Sequence, residues 1–520
     1  MSLPQGRSSY RAGQRHGRIR QHIATKLVAR ALNWATGTIG PAHLTTDQLS
    51  RITEIKRREG PAMSVNAQGA RINHPTMSER LIDWRGATTT PTRLRGLPPG
   101  PRTPLPVQTF RIWGARQHFL PAMQRRYGDV FTLHVAPVGQ LVVVCDPDEI
   151  RKIFRGKPEV FHTGGGNSLL RPIAGPRSVV TLNGQPHRAE RRRMTPPFHG
   201  ERIAAVLSTM EELTERELSR WPIDQSFPLL ARTQQLSLDI IVRVVMGVVD
   251  SGRAEELGRA LRRFLAVNLV DMPMWLWPRL ARVWPWRRVV REMDHADSLI
   301  YSEIAHRRGD PERSRRSDVL AMLLDDDPDD DLVRDELVTL LVAGHETAAV
   351  GLAWMFERLL RSPNALARVN EGLDDPHDPY RAAVVKEALR VRPVVYNVSR
   401  RITEPVELAG YQLPAGTFLA PSIGALHSDT RIWGSDADEF RPERWLEADP
   451  PQHAWIPFGG GARRCVGALF AQTEMETVLR TVLRHVELVP DRSTDELQKM
   501  HNITVVPNRG ARIRVVKRLT

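Results

Sequence analysis

Phe458-Gly-Gly-Gly-Ala-Arg-Arg-Cys-Val-Gly467 is the stretch on which the reading of this 520-residue chain turns. Phe458, Gly461, Cys465 and Gly467 stand in the spacing F-x-x-G-x-x-x-C-x-G. Glycine lets the backbone turn tightly and approach a flat group, and backbone N–H groups turned toward a sulfur temper its charge. Phe458 can shield that sulfur from water. The amphipathic run Ala468 to Val486 follows, which sets Cys465 at a helix N-terminus, where the positive end of the dipole favours a thiolate. Three roles are open to such a cysteine: a metal ligand, a nucleophile activated by Arg463 and Arg464, or a buried and inert thiol.

Working outward, the only other cysteine, Cys145, ends the apolar run Leu141-Val-Val-Val-Cys145, which reads as a buried strand with an inert thiol. Two cysteines make no disulfide framework and suit a reducing compartment. Upstream, Lys386-Glu-Ala-Leu-Arg390 places Glu387 and Arg390 on one helix face, and Phe440-Arg-Pro-Glu-Arg-Trp445 supplies Arg444. Alone, an E-x-x-R pair is an ordinary surface feature. Ala343-Gly-His-Glu-Thr347 lies within a helix read from about Asp331 to Arg361, with Leu337, Leu340 and Leu341 marking its buried stripe. Gly344 in mid-helix costs about 1 kcal/mol relative to Ala, which points to a close approach to the backbone. Thr347 can compete for the Ala343 carbonyl and open the helix locally. Finally, His187 and Arg191 in Gly184-Gln-Pro-His-Arg-Ala-Glu-Arg are four apart and can present two donors to one carboxylate.

These motifs, in this order and over residues from about 97 to 515, resemble those of the cytochrome P450 family. A cysteine thiolate as iron ligand is a property of that family and not a deduction from spacing. The resemblance implies a mainly α fold with a smaller β region and a long central helix crossing the haem. It implies haem b (iron protoporphyrin IX) held by Cys465, within a loop shaped by Phe458, Gly461 and Gly467. His187, Arg191, Arg400 and Arg463 match positions that contact haem propionates, although Arg401 could serve in place of Arg400. Glu387, Arg390 and Arg444 match a structural network beneath the haem. Gly344, Glu346 and Thr347 match the site of oxygen activation, the last two delivering protons. The activity implied is a monooxygenase that puts one atom of O2 into a small hydrophobic substrate. With no flavin reductase after the loop, the electron donor implied is an external ferredoxin with its reductase.

The remaining features bound this picture. Of the net charge of +15, the first 100 residues hold +11, with 16 Lys or Arg against 5 Asp or Glu, so the body is only mildly basic and nucleic acid is not an expected partner. Residues 1–95 read as a basic extension, disordered or the product of an upstream start, with Met63 and Met77 as alternative starts. Ile19, Ile23, Leu27 and Ala31 would make a short basic amphipathic helix there, which leaves organellar targeting as the alternative to a cytoplasmic protein. Leu97 to Val107 is a proline-rich lead-in, and residues 96–520 form a single catalytic domain. Strands are expected at Val130 to His134, Leu141 to Val144 and around Val406 to Ala420, with a mainly helical stretch from near His187. Two acidic linkers, Asp325 to Leu332 and Asp374 to Tyr380, should be solvated, with Asp330 and Asp331 capping one helix and Pro379 opening another. No membrane-spanning segment is expected, and a monomer is. Trp275, Trp277, Trp284 and Trp286 either line the substrate entrance or are buried. Leu169 to Val180, Ala343 and Val394 to Tyr396 are further pocket candidates. A peroxide-driven haem-thiolate enzyme, a nucleic-acid binder and a cysteine-nucleophile enzyme are the competing functions.

Overall fold

A computed structural model describes residues 96–519 except 137, 164–169, 199, 249, 266–277 and 285, together with two short strands, β1 (Ser64–Val65) and β2 (Arg71–Ile72). The chain divides into two compact units, residues 1–74 with 267–277 and residues 75–266 with 278–520. In the first unit β1 pairs antiparallel with β2. The basic helix expected around Ile19, and Leu169, Trp275 and Trp277, lie outside the described residues.

The second unit is mainly helical. Its helices of nine residues or more are α1 (Leu105–Gly114), α2 (Arg116–Tyr127), α3 (Pro147–Arg155), α4 (Gly184–Met194), α5 (Leu207–Leu218) and α6 (Leu229–Val245). They continue with α7 (Ser251–Leu265), α8 (Trp286–Arg308), α9 (Asp330–Leu359), α10 (Pro363–Glu371), α11 (Pro379–Val391) and α12 (Ala468–His485). A five-stranded sheet runs in the order β3 (Val130–Val135), β4 (Gly139–Val144), β10 (Phe418–Pro421), β7 (Arg400–Ile402) and β5 (Phe161–His162). Within it β10 lies parallel to β4, and the other pairs are antiparallel. A smaller sheet joins β11 (Val486–Pro490), β14 (Arg512–Arg518) and β6 (Ser226–Pro228), and two hairpins pair β8 (Val406–Leu408) with β9 (Tyr411–Leu413) and β12 (Gln498–His501) with β13 (Thr504–Pro507). The strands expected near 130, 141 and 406–420 are present.

The proline-rich lead-in docks on β3: Thr132 donates its N–H to Pro99 at 3.0 Å, and a Cβ on Gly100 would fall 1.8 Å from the Thr132 carbonyl oxygen. Gln108 fastens it further, donating to the Pro101 and Thr103 carbonyls and accepting from His134 N–H. Cys145 at the end of β4 is wholly buried, and burial pushes its thiol up, as an inert core cysteine requires.

Helix α9, about 45 Å long at the usual rise, is the axis of the unit. Asp329, and not the expected Asp330 or Asp331, caps it by accepting from Leu332 N–H at 3.1 Å, while Asp330 and Asp331 sit in its first turn where the dipole favours them. The acidic linker is exposed at Asp325, Asp326, Asp327 and Asp329, as expected, and is held by surface ion pairs: Asp329 pairs with Arg177, and Arg308 holds both Asp327 and Asp330. Pro379 opens α11 as expected, with Asp378 as the cap. Among the described residues α9 alone is long and apolar enough to cross a membrane, but 67% of that apolar window is buried in the protein. Its packing against α6, α8, α11 and α12 explains the composition.

Candidate haem-thiolate site

The Cys465 loop follows from contacts with α3. Gly459 and Gly461 adopt left-handed backbone at φ +66° and +65°. A Cβ on Gly461 would lie 1.9 Å from the Phe154 carbonyl oxygen, and one on Gly460 2.2 Å from the Phe154 ring. The close approach expected of these glycines is therefore to Phe154. Gly467 differs: a Cβ there meets nothing within 4 Å, at an ordinary φ of −84°. It caps α12, so Cys465 stands just before a helix N-terminus as expected. The Phe458 carbonyl accepts the Cys465 N–H at 2.9 Å, which closes the loop.

Cys465 is solvent-exposed, with protein packed around its thiol on the other sides. Burial among its neighbours raises its pKa, opposed by the Gly467 N–H and by the charges of Arg191 and Arg464. Beside the loop is a cavity of about 370 Å³ lined by His187, Arg191, Thr195, Pro196 and Ala462 among others. His187 and Arg191 reach it from α4, one helical turn apart.

Arg400 and Arg463 complete a cluster of cations. Arg463 donates to the Val179 and Leu182 carbonyls and to Asn183 Oδ1. Arg400, 6% exposed, donates to the Ser399 carbonyl and stacks on Phe154. Arg401 points to the other face of β7 and stacks on Phe418, so Arg400 is the one that joins the cluster. Burial lowers the Arg400 pKa to about 10, and burial with the charges of Arg400 and Arg191 does the same for Arg463. Burial and then Arg463, Arg191 and Arg400 push His187 down to about 4, so its imidazole is neutral. Among the described residues no carboxylate pairs with Arg191, Arg400 or Arg463, and His187 Nδ1 is buried without a partner. Such a cluster is costly unless an anion joins it.

Behind the loop, Glu387 accepts five hydrogen bonds. Arg390 Nε reaches Oε2 at 2.8 Å and Nη2 reaches Oε1 at 2.7 Å. Arg444 Nε and the Arg441 N–H reach Oε1 at 3.0 Å, and Trp445 Nε1 reaches Oε2 at 2.9 Å. Arg390 also donates to the His427, Ala437 and Glu439 carbonyls. The expected triad is assembled and buried. His427, Trp445 and the Arg441 backbone were not expected; His427 Nε2 accepts the Ile456 N–H at 3.0 Å, which ties the network to the strand of chain that leads into the loop.

On α9, Leu340 is half-buried and Ala343 exposed in a helix whose flanks are wholly buried, and Thr347 is half-buried. These positions, spaced three and four apart, form one open stripe. Leu340 thus belongs to the open stripe and not to the buried one. Thr347 Oγ1 donates to the Ala343 carbonyl at 2.6 Å, as expected. Gly344 is explained by α6: a Cβ there would fall 2.4 Å from Ile241 Cδ1. Glu346 projects elsewhere, accepting from Gln234 Nε2 at 2.9 Å and lying 3.4 Å from His501 Nδ1. Burial raises its pKa, but His501, Gln234 and His345 outweigh that and hold it below its ordinary value. Neither Gln234 nor His501 carries a sequence signal that marks it.

The pocket candidates divide. Tyr396 is core, its ring packed where a Gly424 Cβ would stand, whereas Trp284 is 83% exposed and Trp286 half-buried.

A family model for cytochrome P450 matches residues 98–515. Cytochrome P450 135B1 of Mycobacterium tuberculosis is 42% identical over 436 residues, spanning 82% of this chain and 92% of that protein. The chain belongs to the cytochrome P450 family. Cytochrome P450 135A1 of the same organism is 36% identical over 433 residues, 82% of this chain and 96% of its own length. The fold matches the crystal structure of the cytochrome P450DA heme domain with a TM-score of 0.71 at 22% identity, over 82% of this chain and 99% of that one. Retinoic acid bound cyanobacterial CYP120A1 matches at 0.70 and 21%, over 81% and 100%.

A P450 is a haem-dependent monooxygenase that uses O2, a substrate and a redox partner, and the residues about Cys465 fit a haem. Among the described residues no group of three His, Cys, Asp or Glu side chains could hold a metal, so an iron at Cys465 must bring most of its ligands with it. A porphyrin does so. Haem bears two carboxylates, and the side chains of His187, Arg191, Arg400 and Arg463 have no carboxylate partner among the described residues, so their chemistry fits such a group.

Proposed function

We propose that this P450 oxidises a small hydrophobic substrate on haem b, drawing electrons from an external ferredoxin and its reductase. The observation that carries the site assignment is a cation cluster beside an exposed cysteine, with no carboxylate paired to it among the described residues. Bound haem supplies the iron at which O2 is activated and one oxygen atom passed to substrate. Cys465 is the iron's protein ligand. Arg400, Arg463 and Arg191 would neutralise the propionates, and neutral His187 would donate a hydrogen bond to one of them.

Leu340, Ala343 and Thr347 face the substrate side along α9. The Thr347 hydroxyl spends its proton on the Ala343 carbonyl, which leaves its oxygen free to accept from a water and hold it over the site. Glu346 is ionised at neutral pH and lies beside His501, whose side chain is 44% exposed, so the pair acts as the station between solvent and the helix groove. Gly344 is a packing residue that brings α6 against α9 at this point. The half-buried and exposed tryptophans 286 and 284 support an apolar entrance.

We further take residues 96–520 as one catalytic domain, residues 1–95 as an extension outside it, and the protein as a cytoplasmic monomer. Exposed cations around the loop, Arg464 among them, would steer an acidic ferredoxin. The test is the reduced protein under carbon monoxide: a strongly red-shifted Soret band that Cys465→Ala abolishes is expected. Reduction by ferredoxin should slow steeply with salt. Product formed with peroxide alone, and none with reduced ferredoxin, would overturn the monooxygenase cycle in favour of a peroxide-driven one.

A further inference from the structure

Between the Glu387 network and the Cys465 loop stand three tryptophans that oxygen transfer leaves unused. Trp433 and Trp445 have ring centroids 5.6 Å apart, Trp445 and Trp455 5.3 Å, and Trp455 and Phe458 6.2 Å. Phe458 in turn holds the Cys465 N–H. Such spacings are ordinary for packed aromatics, and the three indoles share a small core cluster. The differences among their surroundings go beyond packing.

Trp433 is 7% exposed, and the Arg390 guanidinium lies 5.0 Å from its ring. A cation over the ring face makes an electron there harder to remove. Among the described residues no cation lies over Trp455, whose N–H goes to the Lys386 carbonyl at 3.3 Å. Trp445 donates its N–H to the Glu387 carboxylate at 2.9 Å, and the Lys386 ammonium, 5.8 Å from its ring and half-solvated, opposes that carboxylate only in part. Trp445 and Trp455 are both half-buried, so solvent reaches them. The series therefore has a near stop, an outlet at the surface, and a disfavoured branch at Trp433.

We propose, resting on the haem-thiolate reading, that Trp455 and Trp445 carry oxidising equivalents out of the Cys465 site to the surface, where a small thiol discharges them. The protein then consumes peroxide at the expense of thiols when no substrate is bound. In each pass Trp455 gives one electron to the site and recovers it from Trp445. The Trp445 N–H proton shifts toward Glu387 and returns when a thiol supplies one electron. Two passes reduce one hydrogen peroxide to two waters, and the two thiols, having given up two electrons and two protons, join as one disulfide. Trp433 takes no part.

The test begins with the Soret absorbance of the purified protein, which checks the haem reading by itself. Haem-loaded protein without substrate is then treated with hydrogen peroxide, digested and read by mass spectrometry. Oxygenated products should concentrate at Trp455 and Trp445, exceed those at Trp433, Trp354 and Trp221 several-fold, and be absent from haem-free protein. Trp455→Phe should remove the mass gain at Trp445 and speed haem bleaching several-fold in the presence of glutathione. Should that variant take up no haem, Trp445→Phe carries the test: products build up at Trp455 and glutathione no longer protects the haem. Modification spread evenly over the tryptophans, Trp445 oxidised as before in Trp455→Phe, or glutathione protection unchanged in Trp445→Phe overturns the route. A wild-type protein without Soret absorbance overturns the haem reading, and the route falls with it.

Discussion

Replacing Glu387 by Gln tests how much the loop depends on what stands behind it. The carboxylate accepts three hydrogen bonds at Oε1, from Arg390 Nη2, Arg444 Nε and the Arg441 N–H, and two at Oε2, from Arg390 Nε and Trp445 Nε1. Glutamine has one acceptor oxygen. Placed at the Oε1 position it keeps three of the five bonds and turns an NH2 group against the two donors that Oε2 served. Bonds to charged groups contribute about 1.5–3 kcal/mol each, so losing two costs about 3–6 kcal/mol. That agrees with the roughly 3–5 kcal/mol expected when a buried ion pair loses one partner. The cost is comparable with the whole stability of many domains, about 5–15 kcal/mol. The assay is the ratio of haem to protein absorbance after purification, with the melting temperature of both variants by circular dichroism. Glu387→Gln should melt several degrees lower and purify with reduced haem, and Glu387→Ala should be worse on both counts. A Glu387→Gln protein with unchanged melting and full haem would refute the view that this network holds the loop.

Three other outcomes are expected. Thr347→Ala should raise peroxide release and lower product formed per electron pair, with folding unchanged; unaltered coupling counts against the water-holding role. Burial lowers the Arg400 pKa from 12.5 to about 10, so holding its charge there costs about 3 kcal/mol. Arg400→Leu should therefore raise the melting temperature of haem-free protein while weakening haem retention, and a fall in both would sink the anion-partner argument. His427 is wholly buried and its pKa is pushed down to about 3, by burial and then by Arg390. Because its folded pKa lies below the unfolded value near 6.5, the unfolded chain takes up the proton first as pH falls. This stability is intact above pH 6.5, is lost as pH drops from there toward 3, and amounts to about 2 kcal/mol of loss by pH 5. Chemical denaturation at pH 7.5 and 5, compared with His427→Gln, would show no difference in pH slope if this is wrong.

What was legible in the sequence is what depends on local spacing. The F-x-x-G-x-x-x-C-x-G loop, the i,i+4 pair His187 and Arg191, the Thr347 bond back to Ala343 and the Glu387–Arg390 pair all follow from backbone geometry within a few residues. Assignments that needed distant partners went astray. Gly344 and Gly461 were marked correctly as points of close approach, but the approaching groups are Ile241 and Phe154, more than a hundred residues away in each case. Arg400 could not be told from Arg401 until β7 was paired on both sides, since alternation along a strand decides which side chain turns inward. Tyr396 is aromatic and lies in the segment that joins α11 to β7, yet Gly424 leaves a space that its ring fills. The cap of α9 shifted by one residue because Asp329, Asp330 and Asp331 are chemically equal until Arg177 and Leu332 choose among them.

The Cys465 loop is held from independent directions, each by contacts that involve no cofactor. Phe154 presses on Gly460 and Gly461 from α3, His427 fixes the Ile456 N–H from the Glu387 side, and Arg463 is anchored to the Val179 and Leu182 carbonyls ahead of α4. Among the described residues Arg463 is anchored through neutral acceptors, so its positive charge is positioned but not cancelled there. The same holds for Arg400, whose hydrogen bond goes to a carbonyl. A fold that only needed stability would pair these two cations with carboxylates, or replace them with apolar side chains of similar size. Charge held in this way, on a buried Arg400 and a half-buried Arg463, is offset at least cost by an anion that arrives from outside, and this is the electrostatic argument behind the proposal that the loop receives a group bearing carboxylates.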